Sequence, residues 1–143
     1  MNTIVHATAR LCACPVDVAL AHLSTAAGLA RWNLGLWNCR ETEPGVFTGV
    51  SLFDGATGWV RIGTDAARGL IDYAVGPDPT RLTRRIRAIV VAGEPLGHPA
   101  DSCVVTLIAW RAAATDDPRW QRLVATHETE LDLIQAQLGT GPH

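Results

Sequence analysis

His127 is the residue of this sequence best placed to do chemistry. Trp120, Leu123, Val124, Leu131, Ile134 and Leu138 recur at helical spacing, and His127 falls at the centre of that apolar stripe, near the angular position of Trp120 and Leu138. An imidazole there faces whatever the helix packs on, either as a hydrogen-bonded core group or as a ligand contact and proton carrier. The run His127-Glu128-Thr129-Glu130 is not the H-E-x-x-H of a zinc protease, because Leu131 occupies the place of the second histidine. Glu130, one turn on, either orients the imidazole or belongs to a solvated flank.

Nucleophilic and metal chemistry find less support. The serines are Ser24, Ser51 and Ser102; none lies in G-x-S-x-G, and Ser24 reads as a helix cap. Cys39 or Cys103 could meet His127 in space, but nothing local marks an activated thiol. Cys12 and Cys14 share one face at the end of an alternating strand, and no second C-x-C or C-x-x-C completes a tetrahedral set, so they read as core packing and no metal is expected. With no export signal in sight, all 4 cysteines are expected to be reduced thiols. GVSLFDGATG has the glycines of a hairpin without the strand-to-helix context of a dinucleotide site.

All 12 Lys+Arg residues are arginine. The absence of lysine rules out P-loop and Schiff-base chemistry, pyridoxal enzymes included, and no cofactor is expected. Any fixed positive charge inside the fold must therefore be a guanidinium, and any switchable one a histidinium. Arg61, the Arg84 to Arg87 strand and His127 form the short list for polar recognition. The basic cluster RLTRRIR sits in an alternating segment and reads mainly as a solvated or ion-paired sheet face. A formal charge of -2 argues against a nucleic-acid partner. The start MNTIVHATARL carries no signal-peptide pattern, and no apolar run is long enough to span a membrane, so a cytoplasmic location is expected.

The aromatic set is skewed, with 5 Trp against 1 Tyr and 2 Phe. Trp32, Trp37, Trp59 and Trp110 lie on strands or near element ends, where they either pack the core or line a binding site. Trp59 and Arg61 share a strand face, and Tyr73 lies on the adjacent strand. An Arg or Tyr turned inward would hold a carboxylate or polarise a carbonyl oxygen; turned outward it is solvated. Asn33, beside Trp32, is expected to satisfy a helix end rather than touch a ligand.

The elements that position these residues follow from local patterning. Residues 3–13 alternate as a first strand, with Val5, Ala7, Ala9 and Leu11 on one side and Ile4, His6, Thr8 and Arg10 on the other. Pro15 opens a helix carrying Val16, Ala19, Leu20 and Leu23, and Ser24 and Thr25 cap a second short helix, AAGLARWN. Six β-rich segments follow, with Glu43-Pro44-Gly45 and Asp54-Gly55 as hairpin turns, so an antiparallel meander is expected. Residues 93–102, with two prolines and two glycines, predict an irregular flap or rim loop. Thr115-Asp116-Asp117-Pro118 predicts the capped start of a final helix of roughly twenty residues, about 30 Å long, stopping at Gly139. No repeat or low-complexity segment divides the chain, which reads as one domain, 1–143, with its core at about 3–138.

This order, with CPVDVALAHLSTAAGLARW at residues 14–32, resembles the SRPBCC superfamily, which includes START-like lipid-transfer domains, polyketide cyclases and birch-pollen-allergen-like proteins. The quoted segment is similar to that family's opening pattern, an x-P-V-x-x-V helix, a Leu-Ser/Thr step and Gly-Leu-x-x-Trp; it departs at Ala19, where many members carry an aromatic residue. The resemblance implies an α+β helix-grip fold, a seven-stranded curved antiparallel sheet wrapped around the long C-terminal helix, with two short helices between strands 1 and 2. It implies a cavity that binds a hydrophobic or aromatic small molecule, lipid- or polyketide-like. Trp32, Trp37, Trp59, Arg61, Tyr73, Trp110 and His127 are the candidate ligand-binding residues. The enzymatic alternative is a cyclase- or dehydratase-like activity with His127 as acid/base and Arg61 or Tyr73 stabilising an enolate oxygen. A further alternative is a protein-interaction module with a filled core, and pairing of edge strands into a homodimer stays open.

Overall fold

A computed structural model describes residues 3–139; the outer ends of the expected domain, residues 1–2 and 140–143, lie outside the described residues. The first strand, β1 (Val5–Cys12), leads into helices α1 (Val16–Ser24) and α2 (Ala26–Trp32). A meander follows: β2 (Trp37–Glu43), β3 (Val46–Val50), β4 (Thr57–Asp65), β5 (Leu70–Gly76), β6 (Thr83–Ala92) and β7 (Cys103–Trp110). Helix α3 (Asp117–Leu138) closes the fold. The strands form one 7-stranded antiparallel sheet in the order β1-β7-β6-β5-β4-β3-β2, which is the expected helix-grip architecture. No helix among the described residues is long and apolar enough to cross a membrane.

Local chemistry accounts for the turns. Gly45 and Gly55 hold positive φ at the two hairpin turns expected from Pro44-Gly45 and Asp54-Gly55. Thr25 caps α2 by accepting from the Gly28 amide, while the Ser24 hydroxyl instead donates to the Leu20 carbonyl inside α1. Gly28 lies so close to the His22 backbone that a Cβ would overlap its carbonyl, so the glycine of the AAGLARW segment is what lets α2 fold back on α1. Asp116 caps α3 by accepting from the Arg119 amide, with Pro118 in the first turn, as the sequence predicts.

Burial alternates along β7, where Cys103, Val105, Leu107 and Ala109 are buried. On β1 the apolar residues Val5, Ala7 and Ala9 are exposed, and the side that carries His6, Thr8 and Arg10 faces α3. Arg10 bonds Glu128 at 2.8 Å and Asp132 at 3.0 Å, and His6 lies 3.2 Å from Glu128. The edge strand thus grips the helix by charge. Residues 93–102 contain a short 3-10 turn at Glu94–Leu96 within the β6–β7 connection.

Cys12, Cys14 and Cys103 are buried free thiols. Burial pushes Cys12 up to about 11 and Cys103 up to about 12, so both stay protonated core groups at neutral pH.

Candidate functional site

Helix α3 rests on β1 and β7 and α1 covers part of β5 and β6, leaving a gap between α3 and the remaining inner surface of β4–β7. The gap is a cavity of about 750 Å³. One stripe of α3 forms a wall, with Arg119, Arg122, Leu123, Thr126, His127 and Glu130 at helical spacing. Trp32 and Leu36, from α2 and the segment after it, form another, and Val60, Tyr73, Ile86 and Leu107 come from the sheet. The mouth lies among the β3–β4 turn at Ser51 and Phe53, the β5–β6 turn at Gly76 and Pro77, and Ala112, Ala114 and Thr115 after β7.

Of the residues singled out from sequence, Trp32, Trp59, Tyr73 and His127 line this cavity, and Trp37, Arg61 and Trp110 do not. Trp37 and Trp110 are each 36% exposed. Arg61 is exposed on the face of β4 opposite Val60, because the strand alternates. The 93–102 loop contributes no lining residue either, so it is not the rim of this cavity.

Tyr73 and Trp32 turn their polar tips away. The Tyr73 hydroxyl donates to the Leu23 carbonyl at 2.6 Å, and Trp32 Nε1 donates to the His22 carbonyl at 3.1 Å. Their rings meet edge to face with centroids 6.4 Å apart. Both present apolar ring surface to the interior and no spare donor.

His127 and Glu130 are the buried polar residues of the α3 wall. Both are buried, and His127 Nδ1 has no hydrogen-bond partner. Glu130 Oε2 accepts the Leu34 amide at 2.9 Å, and Oε1 lies 4.0 Å from His127 Nε2, within ion-pair reach but too far for a hydrogen bond. Burial decides their charge. It pushes His127 down to about 4, with the His6 charge adding to the effect, and pushes Glu130 up to about 8 against the Leu34 hydrogen bond. At neutral pH the pair is a neutral imidazole beside a carboxylic acid.

Arg85 is the other polar lining group that enters from the sheet. On β5, the consecutive residues Tyr73 and Ala74 pair with Ile86 and Arg84, leaving Arg85 as the extra residue of a β-bulge. Arg84 and Arg87 pair with Asp72, the ion-paired sheet face expected of this cluster, whereas Arg85 reaches the cavity and Thr115.

Solved structures share this fold. XoxI from Bacillus cereus superposes with a TM-score of 0.72 at 14% identity, covering 95% of this chain and 96% of that one. A START superfamily protein from Mycobacterium smegmatis gives 0.68 at 11% identity over 95% and 97% of the two chains. The Zhui aromatase/cyclase from Streptomyces sp. R1128 gives 0.64 at 17% identity over 94% and 92%. The chain has the SRPBCC-like helix-grip fold. No protein-family model and no curated relative matches the sequence.

Glu130 occupies a buried place on the cavity wall rather than a solvated flank. Its position, i+3 from His127, was the available signal. Asn33 bonds the end of α2 through its backbone amide, as expected, and also lines the cavity.

Proposed function

We propose that this chain binds an apolar or aromatic small molecule, lipid- or polyketide-like, in the cavity between α3 and the sheet. The observation that carries this is the cavity itself, about 750 Å³ with an aromatic and aliphatic wall, within the range of small-molecule sites. Burying about 300 Å² of apolar guest gives roughly 7 kcal/mol before association costs of several kcal/mol. The fold is shared with a START superfamily protein and an aromatase/cyclase, which supports a cavity-based role. An open interior argues against a module with a filled core.

Native mass spectrometry of the purified protein tests the reading: a retained small molecule, displaced by an added fatty acid, is the expected result. The same spectrum reports whether a dimer forms. A protein that neither carries nor takes up any apolar compound would overturn the proposal.

A second reading, dehydration or cyclisation of a polyketide-type substrate, is favoured by the His127–Glu130 pair. A neutral His127 suits removal of a proton next to a carbonyl, and protonated Glu130 suits delivery of a proton to a departing hydroxyl, giving an alkene and water. Arg61 is on the wrong face to assist, and the Tyr73 proton is already committed to Leu23. Glu130→Gln is expected to abolish turnover while leaving binding intact; unchanged turnover would remove this reading.

A further inference from the structure

Three guanidinium groups line the mouth of the cavity: Arg85 from the bulge of β6, and Arg119 and Arg122 from the first two turns of α3. Among the described residues none of the three forms an ion pair, whereas the nearby Arg81, Arg84, Arg87 and Arg111 each do. Arg85 Nε is buried without a hydrogen-bond partner, and its Nη2 has only a long contact of 3.4 Å to the Thr115 hydroxyl. The charge of Arg119 acts on Arg85 in the same direction as burial, disfavouring the charged form. Arg122 lies over the Phe53 ring, 5.2 Å from its centroid; nearby Asp54 feels its charge but spends Oδ1 on the Ala56 amide. Glu130 is the only carboxyl on the described wall, and it is protonated at neutral pH.

Like charges gathered with no ion-pair partner in contact, one of them partly desolvated, are unfavourable in the empty protein. The same arrangement is complementary to an oxyanion, which a planar guanidinium meets with two parallel hydrogen bonds. We propose that the guest is an amphipathic anion, with a carboxylate or phosphate head between Arg85, Arg119 and Arg122 at the mouth and an apolar body running inward. This rests on the reading of the cavity as a binding site and adds the head group and the direction of entry. Arg122 and Glu130 are eight residues apart on α3, about 12 Å along its axis. A body of that length carries its far end to His127 and Glu130, which suits a hydroxyl or carbonyl there.

Four probes of one chain length, dodecanoate, dodecyl phosphate, dodecanol and dodecylamine, test this by quenching of tryptophan fluorescence and by calorimetry. Dodecanoate or dodecyl phosphate is expected to bind at least about tenfold more tightly than dodecanol, the equivalent of one charge-assisted hydrogen bond. Whichever of the two binds better names the head group within the class. Arg85→Gln is expected to remove that advantage, read as the ratio of anion to dodecanol affinity in the same variant. Arg122→Gln, at a more exposed site, serves if the first variant does not fold, and is expected to reduce the advantage. Equal binding of the alcohol and both anions, or preference for the amine, would overturn the head-group assignment and leave the cavity reading standing. Failure of all four to bind would overturn the cavity reading itself.

Discussion

Glu130 and His127 give the stability of this protein opposite dependences on pH. The folded-state pKa of Glu130 is raised from 4.5 to about 8, so its contribution is fully present below 4.5 and is lost as pH rises through about 8. That of His127 is lowered from 6.5 to about 4, so its contribution is present above 6.5 and is lost as pH falls toward 4. Between 4.5 and 6.5 the two slopes cancel, and above 6.5 only the Glu130 slope remains. Unfolding free energy is expected to fall by about 2 kcal/mol between pH 6.5 and 8, at about 1.4 kcal/mol per unit. Glu130→Gln removes that fall; urea titrations at the two ends of the interval measure it, and an unchanged slope in the variant would assign it elsewhere. Arg85→Met, which removes a partly desolvated charge without a partner, is expected to stabilise the empty protein by about 1 kcal/mol, read from the same titrations.

The helical elements depend on contacts that single substitutions can reach. Asp116→Ala removes the side-chain acceptor at the start of α3 and is expected to cost about 1 kcal/mol. Gly28→Ala forces α2 away from the His22 carbonyl and is expected to cost roughly 1–3 kcal/mol, with loss of the Trp32–His22 hydrogen bond visible as a changed tryptophan spectrum. The Asp116 cap was legible in the sequence because a cap is chemistry between near neighbours, whereas the approach of Gly28 to His22 depends on how α2 folds back on α1. The inward turn of Arg85 was not legible either, since it follows from a pairing slip against β5 that no reading of β6 alone contains. The buried state of Glu130 likewise rests on an amide 96 residues away in sequence, at Leu34. Which face of β1 turns inward had the same origin, since the partners of Arg10, Glu128 and Asp132, lie at the other end of the chain.

At the scale of the whole molecule, the open space under α3 couples folding to occupancy. A ligand that binds only the folded chain is expected to stabilise it by about 2.7 kcal/mol at a hundredfold excess over Kd, and thermal scans with dodecanoate read this as a rise in Tm that grows with ligand concentration. A Tm independent of ligand would contradict binding to the folded state. The architecture was readable from element order, while the choice of wall residues depended on which parity of each strand faces inward, as the split between Val60 and Arg61 and the outward placing of Trp110 illustrate. The bulge at Arg85 carries that dependence further. Arg84 and Ile86 already occupy the outward and inward positions of an unbroken strand, so deleting one codon, that of Arg85, leaves both halves of β6 in phase and removes a charge from the mouth. Ligand polarity in such a scaffold is thus heritable as a change of chain length, open to insertion and deletion as well as to substitution.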